Sequence, residues 1–266
     1  MEELQTWNHD GIIYSVNHGI KRSGEEFIKD HSAGYIIAGK LLIIDGDRTD
    51  TYGPGDIALF RKNNLAKFIK QSIEPEPFKA VSIILDNGLL TSMSESRKLY
   101  AGKSTNVYRV SVPIAADSLL QHYFNSLLPL FKEPLSAELI RLKKEEAVLT
   151  LLHKNPFLQD ILFDFGIPGK INLEAFMNRN FRYNVPLEKM AFLTGRSLAT
   201  FKRDFEKTFG TSPNRWIQQM RLKEAHYLIT EKNIKPSEVY LQVGFETLSH
   251  FSYSFKQFFG KNPSAL

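Results

Sequence analysis

The chain has 266 residues, enough for two domains that each bury a core of their own. Its hydrophobic and charged fractions, 42% and 24%, are typical of globular proteins, and no apolar run approaches the roughly 20 residues that span a bilayer. The absence of cysteine excludes disulfides and thiolate metal sites, and the acidic start MEELQTWNHDG is unlike a signal peptide. These features predict a cytoplasmic protein.

The formal net charge of +5 is unevenly distributed along the chain. Residues 167–266 contain 15 Lys and Arg against 8 Asp and Glu, whereas residues 1–166 contain 19 against 21. A basic segment joined to a near-neutral one predicts a polyanionic partner for the C-terminal part. From charge alone, a solvated basic face is the alternative interpretation.

Short apolar runs rich in β-branched residues occupy the N-terminal part. They lie at residues 11–16, 35–39, 41–45, 56–60, 66–70 and 80–85. Turn residues separate them, and Asp45-Gly46 is typical of a tight hairpin. This spacing predicts an antiparallel sandwich or small barrel. The segment TYGPGDIALF (51–60) resembles the second motif of the cupin barrels, and we therefore predict a cupin-like antiparallel β-barrel.

A cupin with an appended domain could be a metalloenzyme, which would need two or three His and a carboxylate around one metal. This region contains His9, His18 and His31 without a His-x-His pair, and Asn63 and Asn64 follow the Pro-Gly-Asp turn where a histidine would be expected. We therefore predict no metal, cofactor or catalytic residue. The barrel is interpreted as an apolar pocket for a small molecule or as a surface for a protein partner.

Helical spacing begins after Val112-Pro113. Residues 86–106 are predicted as loop with a short helix, and Asp117 is predicted to cap a helix over 117–131. A second helix is predicted from Ser136 to about residue 152. Leucines follow it at near-heptad spacing, at Leu135, Leu139, Leu142, Leu149 and Leu152. Two interpretations stay open for this helix: an ordinary core helix, or an arm that forms a homodimer.

Gly166-Ile167-Pro168-Gly169-Lys170 is the best domain boundary in the chain. The predicted organisation is therefore α+β, with three parts. A regulatory barrel covers residues 1–112, a helical linker or dimerisation arm covers 113–168, and an all-helical domain covers 169–266.

The all-helical domain contains a repeated pattern. FKRDFEKTFGTSP (201–213) and FSYSFKQFFGKNP (251–263) superpose with three Phe, one Gly and one Pro in register. Phe at i, i+4 and i+8 followed by Gly predicts an amphipathic helix with a sharp end, so the Phe side chains are predicted to be core. Each copy follows a short helix and a Gly turn, with Ser197 and Thr247 as predicted N-caps. A continuous helix over 212–230 joins two helix-turn-helix motifs.

A family resemblance rests on these residues. The phrases G-x-S-x-x-x-F-x-R-x-F, G-x-S-P, R-L-x-x-A, V-G-F and F-S-x-x-F-K-x-x-F-G-x-x-P occur in order over residues 171–266. They resemble the DNA-binding domain of the AraC/XylS transcriptional regulators, many of which carry a cupin-like N-terminal part. The resemblance implies a bacterial, nucleoid-associated activator that binds promoter DNA and RNA polymerase. The two recognition helices would enter major-groove segments about 34 Å apart.

Base-contacting residues are expected on the outer faces of the recognition helices. Arg203 matches a family base-contact position, and Lys202 could contact a base or a phosphate. Tyr253 stands where the family often has Arg, so the first helix is expected to supply most of the specificity. Lys256 and the backbone at Thr247 are predicted to clamp a phosphate. The predicted DNA-contacting residues are Ser197, Leu198, Ala199, Lys202 and Arg203 in the first copy, and Thr247, Leu248, Ser249, His250, Ser252, Tyr253 and Lys256 in the second.

Three arginines nearby have simpler interpretations. Arg221 is predicted to form an internal ion pair or packing contact, and Arg196 and Arg215 are interpreted as solvated side chains. His250 is exposed by its helical phase, which alone is weak support for a DNA contact.

Overall fold

The computed structural model of the protein describes residues 4–19, 21–46, 48–102, 109–115 and 117–266. The chain divides into two compact units, Met1–Gly166 and Ile167–Leu266. The first combines antiparallel sheets with helices, and the second is built from helices.

The strands of the first unit form two antiparallel sheets. A six-stranded sheet has the order β1-β2-β9-β4-β7-β10, and a four-stranded sheet has the order β3-β8-β5-β6. The strands are β1 (Leu4–His9), β2 (Ile12–Asn17), β3 (Lys21–Ile28), β4 (His31–Ala38), β5 (Lys40–Asp45), β6 (Arg48–Tyr52), β7 (Ile57–Phe60), β8 (Asn64–Gln71), β9 (Phe78–Leu85) and β10 (Ser111–Ile114). All six predicted strands are present, and the Asp45-Gly46 hairpin joins β5 to β6.

The antiparallel β domain is confirmed, but it is open. Among the described strands no hydrogen-bonded ladder joins the two sheets into a barrel. At the β10 edge Pro113 has no N–H to donate to a further strand. A side-chain hydrogen bond links the edges there instead, from Ser111 Oγ to Asp50 Oδ2 at 2.8 Å. Strand β10 also crosses residue 112, where the first predicted domain ends.

Both faces of the six-stranded sheet contribute buried residues. Alternate residues of each strand point to opposite sides, so the two faces belong to different cores. Between the two sheets lies a core that includes Ile36, Phe60 and Phe78. On the opposite face Val81 and Ile83 contribute to a second core that the sheet shares with helices. The helical segment after residue 113 is therefore part of the same compact unit as the strands.

Most of the helices described in the first unit begin at polar caps, whereas the last begins after Phe157 without a side-chain cap. They are α1 (Asn87–Arg97), α2 (Ser118–Ser126), α3 (Ala137–Lys154) and α4 (Leu158–Leu162), with a 3-10 turn at Leu128–Lys132. Asp117 and Ser136 cap α2 and α3 as predicted, and Asp86 caps α1. The segment predicted as loop with a short helix thus contains an 11-residue helix, and residues 103–108 of it lie outside the described residues.

Helix α3 has two different apolar faces. Its inner face packs on the sheet through Ile140, Val148 and Leu151, and Lys144 is buried on the same side. Of the leucines predicted from near-heptad spacing, Leu139, Leu142 and Leu149 lie on the outer face instead and are 37–50% exposed. Leu135 and Leu152 are partly buried and pack against the core. The near-heptad stripe is therefore not the core stripe of the helix.

The second unit contains α5 (Leu173–Asn180), α6 (Leu187–Leu193), α7 (Leu198–Phe209), α8 (Pro213–Thr230), α9 (Pro236–Gln242) and α10 (Leu248–Phe259), followed by a 3-10 turn at Pro263–Ala265. It has two cores. Phe201 and Phe205 of α7 lie in the first, and Phe251 and Phe255 of α10 lie in the second. Helix α8 contributes Ile217 to the first core and its C-terminal half to the second. The predicted linking helix is confirmed.

None of the helices in the described residues is both long enough and apolar enough to span a bilayer.

Candidate nucleic-acid interface

The first helix-turn-helix motif consists of α6, a turn at residues 194–197, and α7. Gly195 in the turn has a φ of +66°, and a Cβ at this position would collide with the backbone of Gly169 and Lys170. The Ser197 side chain then accepts a hydrogen bond from the backbone N–H of Thr200 at 3.2 Å, which caps α7 as predicted. A close backbone approach and an N-cap thus fix where α7 begins.

Asp204 on α7 holds this turn in place. It accepts hydrogen bonds from Arg196 Nε at 3.0 Å and lies 3.1 Å from Lys170 Nζ. The hydrogen bonds from Arg196 and Lys170 lower the pKa of the Asp204 carboxyl below its usual value. The Arg196 side chain is 7% exposed and also donates to the carbonyls of Ile171 and Thr194. The interpretation of Arg196 as a solvated side chain is wrong, because three acceptors surround it.

The second motif consists of α9, a turn at residues 243–247, and α10, so its turn is one residue longer than the first. Gly244 has a φ of +92°, and a Cβ there would collide with the carbonyl oxygen of Arg182. Thr247 caps α10 as predicted, accepting from the backbone N–H of His250 at 3.2 Å. The scaffold is therefore duplicated, with a different path into each recognition helix.

The repeated Phe residues form the inner faces of the recognition helices. In each copy the first two Phe are fully buried, and neighbouring rings contact each other in tilted arrangements with centroids 4.3–5.7 Å apart. Gly210 and Gly260 end the helices in the left-handed conformation. The prediction that these Phe side chains are core is confirmed, which leaves the opposite faces for a ligand.

The outer face of α7 carries Ser197, Ala199, Lys202 and Arg203, all exposed. Leu198 is half-buried and packs against the first core, so it is less available than the other predicted residues. Within the ranges that the structure describes, Lys202 and Arg203 have no hydrogen-bond or ion-pair partner. Both cations are thus available to an anion or to a base edge.

The outer face of α10 is more apolar. The predicted residues Thr247, Leu248, Ser249, His250, Tyr253 and Lys256 are exposed, and Ser252 is half-buried. Tyr253 is 67% exposed, and the His250 ring meets Phe245 edge to face with centroids 5.4 Å apart. Lys256 lies nine residues after Thr247, which is about 13 Å along the helix. This separation is too large for the two positions to clamp a single phosphate together.

A cleft of about 760 Å³ separates the two motifs. Lys202 of α7 and His250 of α10 both line it, so the two recognition helices open on the same side of this unit. Asn184, Asn214 and Gln218 also line it and were not predicted. Sequence spacing could not identify this group of amides, because Asn184 lies before α6 and meets the two α8 residues only after folding.

The first compact unit, Met1–Gly166, is called the β unit below, and its described residues bring no set of metal ligands together. No group of three or more His, Asp or Glu that could hold a metal ion occurs in its described residues. His31 is buried, accepts a hydrogen bond from the backbone N–H of Lys62, and has a pKa lowered to about 3 by burial. His9 stacks on Phe131, and Asn64 donates to nearby backbone carbonyls. His9, His31 and Asn64 thus each take part in a separate local contact.

Comparisons with known proteins agree with this two-part architecture. A family model described as a helix-turn-helix domain matches residues 190–266, and one described as the ExsA N-terminal regulatory domain matches residues 31–161. The HTH-type transcriptional regulator ExsA of Pseudomonas aeruginosa is 24% identical over 266 residues, which cover 97% of this chain and 89% of ExsA.

Two shorter or more distant similarities accompany these. The virulence regulon transcriptional activator VirF of Yersinia enterocolitica is 30% identical over 128 residues, 47% of each chain. A crystal structure of an apo ToxT variant from Vibrio cholerae covers 98% of this chain and 95% of its own, with a TM-score of 0.45 and 14% identity. On the two domain matches and the relative that spans nearly its whole length, the chain belongs to the AraC/XylS family of DNA-binding transcriptional regulators.

Proposed function

We propose that this regulator binds promoter DNA by placing α7 and α10 in two successive major-groove segments on one face of the duplex. The observation that carries the proposal is the shared cleft, which is bordered by Leu198 and Lys202 of α7 and by His250 of α10. A linking helix of 18 residues, about 27 Å long, is comparable with the roughly 34 Å that separate such segments.

In the first motif, Arg203 donates two hydrogen bonds to a guanine edge, and Lys202 contacts a neighbouring base or phosphate. Ser197 and Ala199 lie at the start of α7, where the exposed backbone N–H groups favour a phosphate. Leu198 contributes the exposed part of its side chain as an apolar contact. Two observations support these assignments. The side chains of Ser197, Ala199, Lys202 and Arg203 are exposed, and in the described residues Lys202 and Arg203 have no internal hydrogen-bond or ion-pair partner.

In the second motif, Leu248 and Tyr253 provide apolar contacts, for example with a thymine methyl group. Ser249, His250 and Ser252 form direct or water-mediated hydrogen bonds, and this second set is expected to discriminate less strongly than Arg203. Thr247 and Lys256 contact two different phosphates, in line with their separation along α10.

The test is a duplex selection followed by a footprint. The full chain is incubated with a random duplex library, bound duplexes are enriched, and the selected duplex is footprinted at about 0.15 M salt. We expect two protected major-groove segments on one face, one helical turn apart. Failure to enrich any sequence over random DNA, or protection of a single segment, would overturn the proposal.

We also propose that the protein activates transcription through contact with RNA polymerase in the bacterial cytoplasm, at the nucleoid. The support comes from the family, because VirF, which is similar to this chain, is described as a transcriptional activator. Purified RNA polymerase and a template carrying the selected duplex upstream of a promoter test this directly. Added protein should increase the transcript; a decrease would indicate a repressor.

Homodimerisation through α3 is a further part of the proposal. The outer face of this helix exposes Leu139, Leu142 and Leu149, between 37% and 50% of each side chain. An aligned apolar stripe of this kind on a protein surface favours a partner, and a second copy of the same helix is apolar in the same places.

The β unit is proposed to be regulatory and not catalytic. A cavity of about 460 Å³ lies between the two sheets, lined mainly by apolar side chains such as Ile36, Phe60 and Phe78, with Lys70 among its polar members. Its size suits a small effector molecule. A protein partner that binds the surface of this unit is the alternative. Native mass spectrometry of the purified chain separates the two, since a bound small molecule adds a far smaller mass than a bound protein partner.

A metalloenzyme remains the competing class for the β unit, and metal analysis of the purified chain decides it. A stoichiometric bound ion would contradict the assignment as a regulatory domain.

A further inference from the structure

Arg221 lies near the middle of α8 and donates hydrogen bonds to three backbone carbonyls. Its Nε reaches Phe181 at 2.9 Å, its Nη2 reaches Tyr183 at 2.9 Å, and its Nη1 reaches Gly244 at 2.7 Å. Two of these carbonyls belong to the segment that leads into α6, and the third belongs to the turn of the second motif. A single side chain thus bonds to the segment that leads into the first motif and to the turn of the second motif.

The geometry of a guanidinium group makes this link rigid. The group is planar, always charged, and presents its N–H donors in a fixed fork. Hydrogen bonds from a charged donor are shorter and stronger than those between neutral groups. Three carbonyls on one fork therefore define both the distance and the rotation between the two segments that carry them.

Gly244 brings the two motifs into close backbone contact at the same point. A Cβ at this residue would collide with the carbonyl oxygen of Arg182 and lie 2.9 Å from the guanidinium carbon of Arg221. The turn of the second motif therefore packs directly on the chain that enters the first motif, at a distance that any side chain would prevent.

Neighbouring side chains strengthen the same boundary. Gln218, Arg221 and Glu224 are spaced three residues apart and so lie on one side of α8. The additional hydrogen bonds run from Gln218 Nε2 to Ser254 Oγ (3.2 Å), from Arg182 Nη2 to Glu224 Oε1 (2.7 Å) and from Asn184 Nδ2 to Glu246 Oε1 (2.7 Å). These contacts join the segment that leads into the first motif, the linking helix and the second motif.

We propose that Arg221 is a positioning residue for DNA binding, which sets the separation and rotation between α7 and α10. The inference rests on the proposed two-groove binding mode. With the two helices held in this way, the protein binds two DNA segments at one spacing. One inserted base pair moves the second segment by about 3.4 Å and rotates it by about a tenth of a turn, so a rigid pair of helices loses one of its two contacts.

The experiment measures the dependence of affinity on spacing. The full-length wild type and Arg221→Gln are titrated against three probes: the duplex that the wild type selects, the same duplex with one base pair added or removed between its two segments, and a duplex with a single segment. We expect wild-type affinity to fall at least about tenfold on the altered spacings. Arg221→Gln should bind the selected duplex about tenfold more weakly, tolerate altered spacing better, and bind the single segment as the wild type does.

Two further variants make the result decisive. Lys223→Gln removes one positive charge from the exposed side of the same helix and should keep the wild-type spacing profile. Arg221→Lys keeps the charge but not the fork, so its profile should be intermediate, and it replaces Arg221→Gln if the latter does not fold.

The inference is overturned if the Arg221 variants keep the sharp wild-type dependence on spacing, or if they lose affinity equally on the single segment and on the selected duplex. A wild type that selects no duplex would instead contradict the proposed function, so the two failures are distinguishable.

Discussion

Asp204 on the first recognition helix pairs with Arg196 in the turn that precedes it, with 3.0 Å between Arg196 Nε and the carboxylate. Hydrogen bonds from Arg196 and then Lys170 hold the pKa of this carboxyl below its ordinary value. The ionised carboxylate therefore stabilises the folded state above the pKa of the unfolded chain, and that stabilisation disappears as the pH falls through the folded-state pKa.

We predict that Asp204→Asn lowers the Tm of the protein at neutral pH, because Arg196 would lose its ion pair while its side chain stays 7% exposed. The difference from the wild type should be constant between about pH 7 and pH 5 and should narrow below about pH 4. Thermal unfolding followed by circular dichroism measures it. Glu206→Gln, two residues along the same helix and exposed, is the control and should change the Tm little. A difference that persists undiminished in acid would contradict this account of Asp204.

The strands that could be predicted from the sequence are those with two neighbours. All six predicted strands are interior to their sheets, whereas β1, β3, β6 and β10 are the four edges. Interior strands bury apolar residues on at least one face and show clear β-branched runs. Edge strands have one partner and more exposure; β6, for example, reads RTDTY and buries Tyr52 alone. Its strand character comes from pairing with β5, which local sequence does not encode.

The recognition helices were predictable because their signals are local. Phe spacing, Ser197, Thr247 and the two helix-ending glycines all act within one or two turns of the chain. The long-range contacts were not predictable to the same depth. Arg196 donates to the carbonyl of Ile171, which lies 25 residues away, and the amides that line the cleft come from α8 and from the separate segment before α6. For α3, leucine spacing identified an apolar stripe but not which of two stripes faces the sheet.

Gly244→Ala is predicted to destabilise the protein far more than Gly210→Ala. Both glycines have a positive φ, which alone costs an alanine about 1 kcal/mol. A Cβ at Gly210 meets nothing within 4 Å, whereas one at Gly244 collides with the backbone of Arg182. We therefore expect a loss of about 3 kcal/mol or more in the free energy of unfolding for Gly244→Ala. Urea denaturation gives both values, and equal losses would show that the backbone at Gly244 can move away without cost.

Arg203→Ala is predicted to relax base discrimination at one position of the selected duplex by about 1–3 kcal/mol. Tyr253→Ala should have a smaller effect, because its contact is apolar and largely exposed. Lys256→Ala is the matched phosphate variant, which should weaken binding to every duplex and reduce the salt slope by about 1. Titrations against all single base-pair substitutions of the selected duplex distinguish these outcomes. If Tyr253→Ala relaxes specificity more than Arg203→Ala, the proposed division of labour between the helices is reversed.

Leu142→Asp is predicted to weaken the homodimer about tenfold or more while leaving the folded monomer intact. Leu142 is 50% exposed on the outer face of α3, so its replacement costs little in the monomer but places a charge in the proposed contact. Val148→Ala, on the buried face of the same helix, should lower the Tm and leave dimer dissociation unchanged. Sedimentation equilibrium over a range of concentrations measures the dissociation constant of each variant. A wild type that stays monomeric at high concentration, or a dimer that is insensitive to Leu142→Asp, would exclude α3 as the dimer contact.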